Sequence, residues 1–120
     1  MRVVLDANAL MMPFEYKINL DLELLRLLGK YEAYVPSCVL GELERVARRR
    51  WEAKAALQLA DKYRRVEVES LGDRGVIEAA KKLKAAVVTN DRVLINKLIK
   101  EGIAVIFMKQ NHLVMVDDIT

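Results

Sequence analysis

Four acidic residues stand where apolar runs end or where helical patterns begin. Asp6 follows the run RVVL, and Asp91 follows a second run, AAVVTN. Glu42 lies just inside a helical pattern opened by VPS, and Asp73 lies at or before the first turn of another. If these acids meet, their like charges repel unless a cation neutralises them. No histidine or cysteine accompanies them, so the donor set predicts a hard cation, Mg²⁺ or Mn²⁺.

Each of these acids also suits an ordinary structural role. Asp73 and Asp91 are good helix N-caps, because a side-chain oxygen there accepts from unpaired N–H groups. Asp6 in DANA suits an Asx turn, and Glu42 suits an exposed helix position. The choice therefore depends on whether the fold brings the four acids together.

Short strand-like runs alternate with helical patterns along the chain. Strands are predicted at 2–5, 33–35, 66–68, 86–89, 104–108 and 113–116. Apolar residues recur at helical spacing within 20–28, 39–47, 76–83 and 94–99, and residues 54–63 form a further alanine-rich helix. This alternation predicts an α/β fold with a mainly parallel sheet that helices cover on both faces.

Parallel strands joined by right-handed crossovers present their carboxyl ends at one edge of the sheet. In open α/β sheets that edge is where ligands bind. All four acids are predicted to fall there, although they are far apart in sequence. The last run, HLVMV, follows the polar turn KQN and is predicted to form a hairpin with residues 104–108.

The composition describes a folded domain rather than a disordered or membrane-spanning chain. The 120 residues suit one domain, 1–120, with 53% hydrophobic and 31% charged residues. No apolar run approaches the roughly 20 residues that span a bilayer. Asp6 comes too early for a signal peptide, and the one cysteine excludes an internal disulfide. A cytoplasmic location is expected.

The basic residues are concentrated in one stretch, 45–65. It carries eight of them against Glu52 and Asp61, whereas the whole chain has a net charge of only +3. A solvated helix face is one reading of this stretch, and a site for a polyanion is the other. The residues predicted to contact such a polyanion are Arg45, Arg48, Arg49, Arg50 and Lys54.

The segments that carry the four acids resemble the PIN-domain family of metal-dependent nucleases. They are VVLDANALMMPF, VLGELERVA, LGDRGVIEAA and VVTNDRVL, in the family's order and at suitable spacing over essentially the whole chain. The resemblance implies a three-layer α/β/α sandwich and an acidic pocket for one or two Mg²⁺ or Mn²⁺ ions. It also implies hydrolytic cleavage of RNA that leaves 5′-phosphate and 3′-hydroxyl ends.

On this resemblance Asp6, Glu42, Asp73 and Asp91 are the catalytic, metal-binding acids. Asn8, Thr89 and Asn90 match polar positions that support such a site. The chain departs from many relatives in having Ala7 after the first acid and no second acid beside Asp73.

The family resemblance leaves the biological setting open. Small PIN proteins are often toxins that an antitoxin protein inhibits. DANALMMPFEY and KQNHLVMVDD also resemble PIN proteins of ribosomal RNA maturation, which work with ribosome-assembly factors. A domain that binds RNA or protein without cleaving it is the alternative function.

Four other features of the sequence have both structural and functional interpretations. Cys38 is expected to be a small buried residue, and the lone His112 gives no catalytic triad. Trp51 suits either base stacking or packing in the helical layer. The apolar residues 10–14, placed before the first helix, suit either the core or a surface for a homodimer or another partner.

Overall fold

The computed structural model describes residues 1–116, so Asp117 and Asp118, which close KQNHLVMVDD, lie outside the described residues. Within that range the chain forms six strands and six helices. In chain order they are β1 (Arg2–Leu5), α1 (Ala7–Tyr16), α2 (Leu20–Leu28), β2 (Glu32–Pro36), α3 (Ser37–Val46), α4 (Trp51–Ala60), β3 (Arg64–Val66), α5 (Gly72–Leu83), β4 (Ala86–Val88), α6 (Arg92–Lys100), β5 (Val105–Lys109) and β6 (His112–Val116).

The six strands form one sheet in the order β3-β2-β1-β4-β5-β6. The pairs from β3 to β5 are parallel, and β5 pairs with β6 in antiparallel register. The predicted hairpin is therefore confirmed. Its two turn residues, Gln110 and Asn111, have φ of 52° and 64°, as the type I′ turns that match strand twist require.

Helices cover both faces of this sheet, because the crossovers run one way from β1 to β3 and the other way from β4 to β5. α1, α3 and α4 pack against one another, whereas α5 crosses β1, β2 and β4 and α6 lies on β5. The central strands β1 and β4 are buried on both faces, which explains their unbroken apolar sequences. The predicted α/β fold with a mainly parallel sheet is confirmed.

One helix was missed in the sequence. Residues 10–14 belong to α1 and do not precede the first helix, because the Asp6 side chain caps α1 directly after β1. Leu10 and Met12 are fully buried, so the core explains their apolar character. The surface alternative is wrong for these two residues.

Two boundaries were also misplaced. β3 covers Arg64–Val66 rather than 66–68, and the Ser37 hydroxyl instead accepts the Val68 N–H at 3.0 Å. Charged residues at the start of β3 suit an edge strand, where they discourage pairing with other chains. α4 runs from Trp51 to Ala60 rather than from 54 to 63.

The helices of residues 1–116 are all too short or too polar to cross a membrane.

Candidate active site

Asp6 is the most buried of the four acids. It directly follows β1, and its side chain is 6% exposed. Its Oδ1 accepts the Ala9 N–H at 2.8 Å, so the carboxylate caps α1 while it faces the carboxyl edge of the sheet. The Asx turn suggested by DANA is replaced by this N-cap, because the N–H that Asp6 accepts belongs to the third residue on rather than the second. Asp6 is also more buried than a capping role requires.

Thr89 and the two asparagines fasten the neighbouring turn after β4. The fully buried Thr89 hydroxyl accepts the Asp91 N–H at 3.0 Å and also bonds to Asp6. Asn8 Oδ1 accepts the Asn90 N–H at 2.8 Å, which ties α1 to this turn. Asn90 Oδ1 accepts the Met108 N–H at 2.7 Å, beyond the point where β4 ends beside β5. These contacts fix the positions of Asp6 and Asp91, which follow the adjacent strands β1 and β4 in the chain.

Asp91 is exposed and caps α6. Its Oδ1 accepts the N–H groups of Val93 at 2.9 Å and Leu94 at 3.2 Å. The interpretation of Asp91 as an N-cap is therefore correct. Its other carboxylate oxygen makes no capping contact among the described residues.

Glu42 and Asp73 lie on α3 and α5, which approach each other closely. Gly75 allows this approach, because a Cβ there would lie 2.4 Å from Cys38 Sγ and 2.5 Å from the Ser70 carbonyl oxygen. Glu42 is exposed in the second turn of α3, and Asp73 lies in the first turn of α5. One glycine therefore allows the two helices that carry these acids to pack closely.

The pKa directions show that the four acids form one electrostatic group. Burial raises the pKa of Asp6 to about 7 against its hydrogen bonds to Thr89 and Ala9, and the charges of Glu42 and Asp91 raise it further. Burial also raises the pKa of Glu42; Arg45 opposes this, and the charges of Asp73 and Asp91 add to the rise. The fold thus makes one electrostatic group of four acids that are far apart in the sequence.

The chemistry of this group suits a hard divalent cation, because every donor is a carboxylate oxygen and the acids destabilise one another's charge. Within residues 1–116, however, no three Asp, Glu, His or Cys side chains converge closely enough to hold an ion as they stand. Asp91 is engaged as a cap and Asp73 is engaged in an ion pair. The donor types fit the ion, and the side chains must draw together around it.

Lys97 is the site residue that sequence reasoning missed. Its Nζ lies 3.0 Å from Asp73 Oδ2, so α6 supplies a cation to the acid on α5. The segment LINKLIK reads as an ordinary amphipathic helix and gives no sign of this contact. Only the packing of the two helices creates it.

The basic stretch divides into paired and unpaired residues. Arg50 bonds to Glu15 at 2.7 Å and lies 3.5 Å from Glu52, and Lys62, Arg64 and Arg65 also form ion pairs. In the described part of the chain no acid pairs with the remaining four, which are Arg45, Arg48, Arg49 and Lys54. The positive charges of these four residues are available to a ligand. The ion pair of Arg50 with Glu15 instead connects the start of α4 to α1.

The remaining features have structural explanations. Cys38 is buried against Gly75, as expected. His112 lies on β6 with Nδ1 3.5 Å from Glu23, remote in sequence and in sheet order from the acids. Trp51 meets Phe14 edge to face at a centroid distance of 6.2 Å and remains 63% exposed.

Comparison with known proteins agrees with this geometry. Residues 3–111 match the family described as "PIN like domain". The chain is 33% identical to "Ribonuclease VapC9" of Archaeoglobus fulgidus, over 95% of this chain and 87% of that protein. It is also 33% identical to "Ribonuclease VapC4" of Methanocaldococcus jannaschii, over 91% of each.

Solved structures show the same fold. The structure titled "Structure of the PIN domain endonuclease Utp24" superposes with a TM-score of 0.85 at 22% identity, over 98% of this chain and 92% of that one. A domain of a functionally unknown protein from Methanocaldococcus jannaschii gives a TM-score of 0.67 at 16% identity, over 90% and 91%. With the sheet order, the four acids and the match over residues 3–111, these similarities show that the chain belongs to the PIN-like domain family.

Proposed function

We propose that this chain is a metal-dependent endoribonuclease that hydrolyses RNA phosphodiester bonds. One observation carries the proposal: a carboxylate that is 6% exposed, Asp6, lies at the carboxyl edge of the sheet with its pKa raised to about 7 beside two further acids. A core carboxylate without a ligand would normally be paired with a cation. The 33% identity to two proteins named ribonucleases supports the reaction class.

In this proposal Asp6, Glu42, Asp73 and Asp91 hold Mg²⁺ or Mn²⁺. Such an ion supplies Lewis-acid stabilisation of the charge on the scissile phosphate and makes water more acidic. The chain's own contribution is to fix the acids. Thr89 and the Ala9 N–H orient Asp6, and the Thr89 hydroxyl also holds the backbone of Asp91. Water attacks the phosphorus in line and gives up a proton to the solvent, the bond from phosphorus to the 3′ oxygen breaks, and that oxygen takes up a proton. The ends are a 5′-phosphate and a 3′-hydroxyl.

The unpaired part of the basic stretch is proposed to hold the RNA backbone. Arg45 lies close enough to Glu42 to lower its pKa, so this end of the stretch borders the acids. Arg48, Arg49 and Lys54 extend the positive charge from α3 to α4. Arg50 is left out of this role, because its guanidinium is bonded to Glu15.

The named relatives favour a toxin-type setting in the cytoplasm, in which an antitoxin protein covers the acids. A nuclease of ribosomal RNA maturation is the second candidate, supported by the similarity of DANALMMPFEY and KQNHLVMVDD to such proteins. The gene neighbourhood separates the two. A short antitoxin reading frame directly upstream supports the toxin, and its absence favours maturation.

The test uses a fluorescently labelled random-sequence single-stranded RNA with Mn²⁺, Mg²⁺ or EDTA. The wild type is expected to cleave it only with metal, and Asp6→Asn is expected to lose cleavage. Mn²⁺ should also raise the melting temperature of the wild type through binding to the folded state, and this gain should vanish in Asp6→Asn.

Two results would contradict the proposal. Cleavage by Asp6→Asn at the wild-type rate would show that the acid is not part of the site. RNA binding without cleavage in any metal would instead support the alternative, a domain that binds RNA without cutting it.

A further inference from the structure

A cleft lies between α6 and β5, next to the turn that carries Asp91. It has a volume of about 670 Å³ and opens at the carboxyl edge of the sheet. Asn90 and Arg92, the residues on either side of Asp91 in the chain, form one wall. Their position places the cleft next to the turn that carries Asp91, although none of the four acids lines it.

The cleft is lined by apolar, polar and cationic side chains, including the aromatic ring of Phe107. Phe107 and Lys109 are two residues apart on β5 and therefore share one face of the sheet. Arg92 and Asn96 are four residues apart on α6 and share one face of the helix. α6 packs on β5, and residues of both elements line the cleft, Ile95 and Met108 among them.

The charge of this cleft differs from that of the cleft on the other side of α6. The latter contains three acids, Asp73, Glu78 and Glu101, and four cations, of which Lys81 and Lys97 are paired with acids. Among the described residues, no acid lines the cleft beside β5. Within residues 1–116, neither Arg92 nor Lys109 forms an ion pair. Two uncompensated cations without an acid favour an anionic ligand.

We infer that this cleft is a nucleotide subsite for single-stranded RNA, next to the phosphate that is cut. Phe107 stacks on the base, Asn96 hydrogen-bonds the base edge, and Arg92 and Lys109 hold a flanking phosphate. An aromatic face with a cationic rim suits single-stranded RNA, whose unstacked bases can lie on aromatic side chains. A side-chain amide has both a donor and an acceptor for a base edge.

The order of the strands agrees with this assignment. β5 is the neighbour of β4, and the segment after β4 carries both Asp91 and the cleft-lining Asn90 and Arg92. The bond from the Met108 N–H to Asn90 Oδ1 fixes the β5 wall to the turn before Asp91. A nucleotide in the cleft therefore has its sugar-phosphate next to the acids. The inference rests on the proposed nuclease function and adds which residues select the sequence.

The first experiment measures sequence preference. The wild type cleaves the random single-stranded RNA pool with Mn²⁺, and the new ends are sequenced. A base preference is expected at one position within about two nucleotides of the cut, the span that one neighbouring subsite can contact. Asn96→Ala should flatten this preference, and the exposed position tolerates alanine in a helix.

The second experiment measures binding in EDTA, where no cleavage is expected. The probes are 12-nucleotide single strands of oligo(A), oligo(C) and oligo(U). Phe107→Leu and Arg92→Ala should each weaken binding about five- to tenfold, the loss expected for one stacked base or one phosphate contact. Lys100→Ala is the matched control, because it removes a cation of α6 from the cleft on the other side.

The two experiments separate this inference from the nuclease proposal. If the wild type cleaves but all three cleft variants keep its preference and its binding, the subsite is overturned and the nuclease stands. If no metal supports cleavage but Arg92→Ala and Phe107→Leu weaken binding relative to Lys100→Ala, the nuclease fails and the subsite stands. Melting temperatures of Phe107→Leu check that it folds, and Arg92→Ala, at an exposed position, carries the test if it does not.

Discussion

Two aspartates in this protein are each held by several contacts, yet their surroundings are opposite. Asp21, at the start of α2, accepts the hydroxyls of Tyr31 and Tyr63 at 2.9 and 2.8 Å on one oxygen and meets Lys62 with the other. Asp6, after β1, is bonded by Ala9 and Thr89 but has acids as its charged neighbours. The first has a cation of its own, and the second does not.

The pKa directions express this difference. Partial burial acts to raise the pKa of Asp21, but the hydrogen bonds from Lys62, Tyr63 and Tyr31 outweigh it and lower the pKa. Burial raises the pKa of Asp6 to about 7, and the charges of Glu42 and Asp91 add to that. Asp21 has the surroundings of an acid that stabilises the fold. Asp6 has the surroundings of an acid whose negative charge is stabilised only when a cation binds beside it.

The largest expected effect is on catalysis, at Asp91, an exposed acid of the group that also caps a helix. Asp91→Asn should keep the cap of α6, because asparagine caps about as well as aspartate. It should nevertheless lower cleavage with Mg²⁺ or Mn²⁺ at least about 100-fold, since several kcal/mol of charge stabilisation is lost. Initial rates and the metal-free melting temperature are measured together. Wild-type cleavage by this variant would reduce Asp91 to a helix cap.

The same substitution in the two compared aspartates should change stability in opposite directions. Asp21→Asn should lower the free energy of unfolding by about 2 kcal/mol, because charge-assisted hydrogen bonds to Lys62 and the tyrosines are lost. Asp6→Asn should raise the metal-free melting temperature, because a repelled, poorly solvated charge is removed. Urea denaturation in EDTA measures both, and losses of equal size would erase the distinction.

The pH dependence of stability should also separate them. The pKa of Asp6 is raised from 3.8 to about 7 in the folded state, so between these values the folded protein binds the proton more tightly than the unfolded chain. The metal-free protein should therefore lose stability as the pH rises through this window. Asp21 acts oppositely: its pKa is lowered, so its contribution is lost as the pH falls below the ordinary aspartate range.

Substitutions at the two aspartates show which residue causes each part of the pH dependence of stability. Asp6→Asn should flatten the fall in melting temperature between pH 4 and about 7, the window set by the raised pKa. Asp21→Asn should leave that fall in place and remove part of the loss at lower pH. An unchanged fall in Asp6→Asn would assign it to another group.

The smallest expected effect concerns Lys97. This cation forms an ion pair with Asp73, as Lys62 does with Asp21. Lys97→Met should free Asp73 and lower the Mn²⁺ concentration for half-maximal thermal stabilisation by about two- to fivefold, the range of an exposed ion pair. Lys100→Met is the control, since Lys100 also lies on α6 but has no acid partner in the described chain. A lower Mn²⁺ affinity would show that Lys97 assists the site.

Much of this molecule follows from local rules that the sequence states directly. The apolar runs RVVL and AAVV form central strands because a strand buried on both faces needs apolar residues throughout. Asp91 and the turn KQN mark a helix start and a hairpin for equally local reasons. α1 was missed because its first turn holds Ala-Asn-Ala and Pro13 lies inside it, so its periodicity is weak.

The acids' positions at strand ends and helix starts came from the sequence, since parallel strands place their carboxyl ends at one edge. Their surroundings came only from the tertiary structure. Whether a carboxylate meets Lys62 or Glu42 depends on how helices distant in sequence pack, and at Gly75 on the absence of a single Cβ. The pairing of Arg50 with Glu15 and of Lys97 with Asp73 likewise joins residues that no spacing rule connects. Charge compensation is a property of distances in space, and the chain fixes those distances only once its helices have packed.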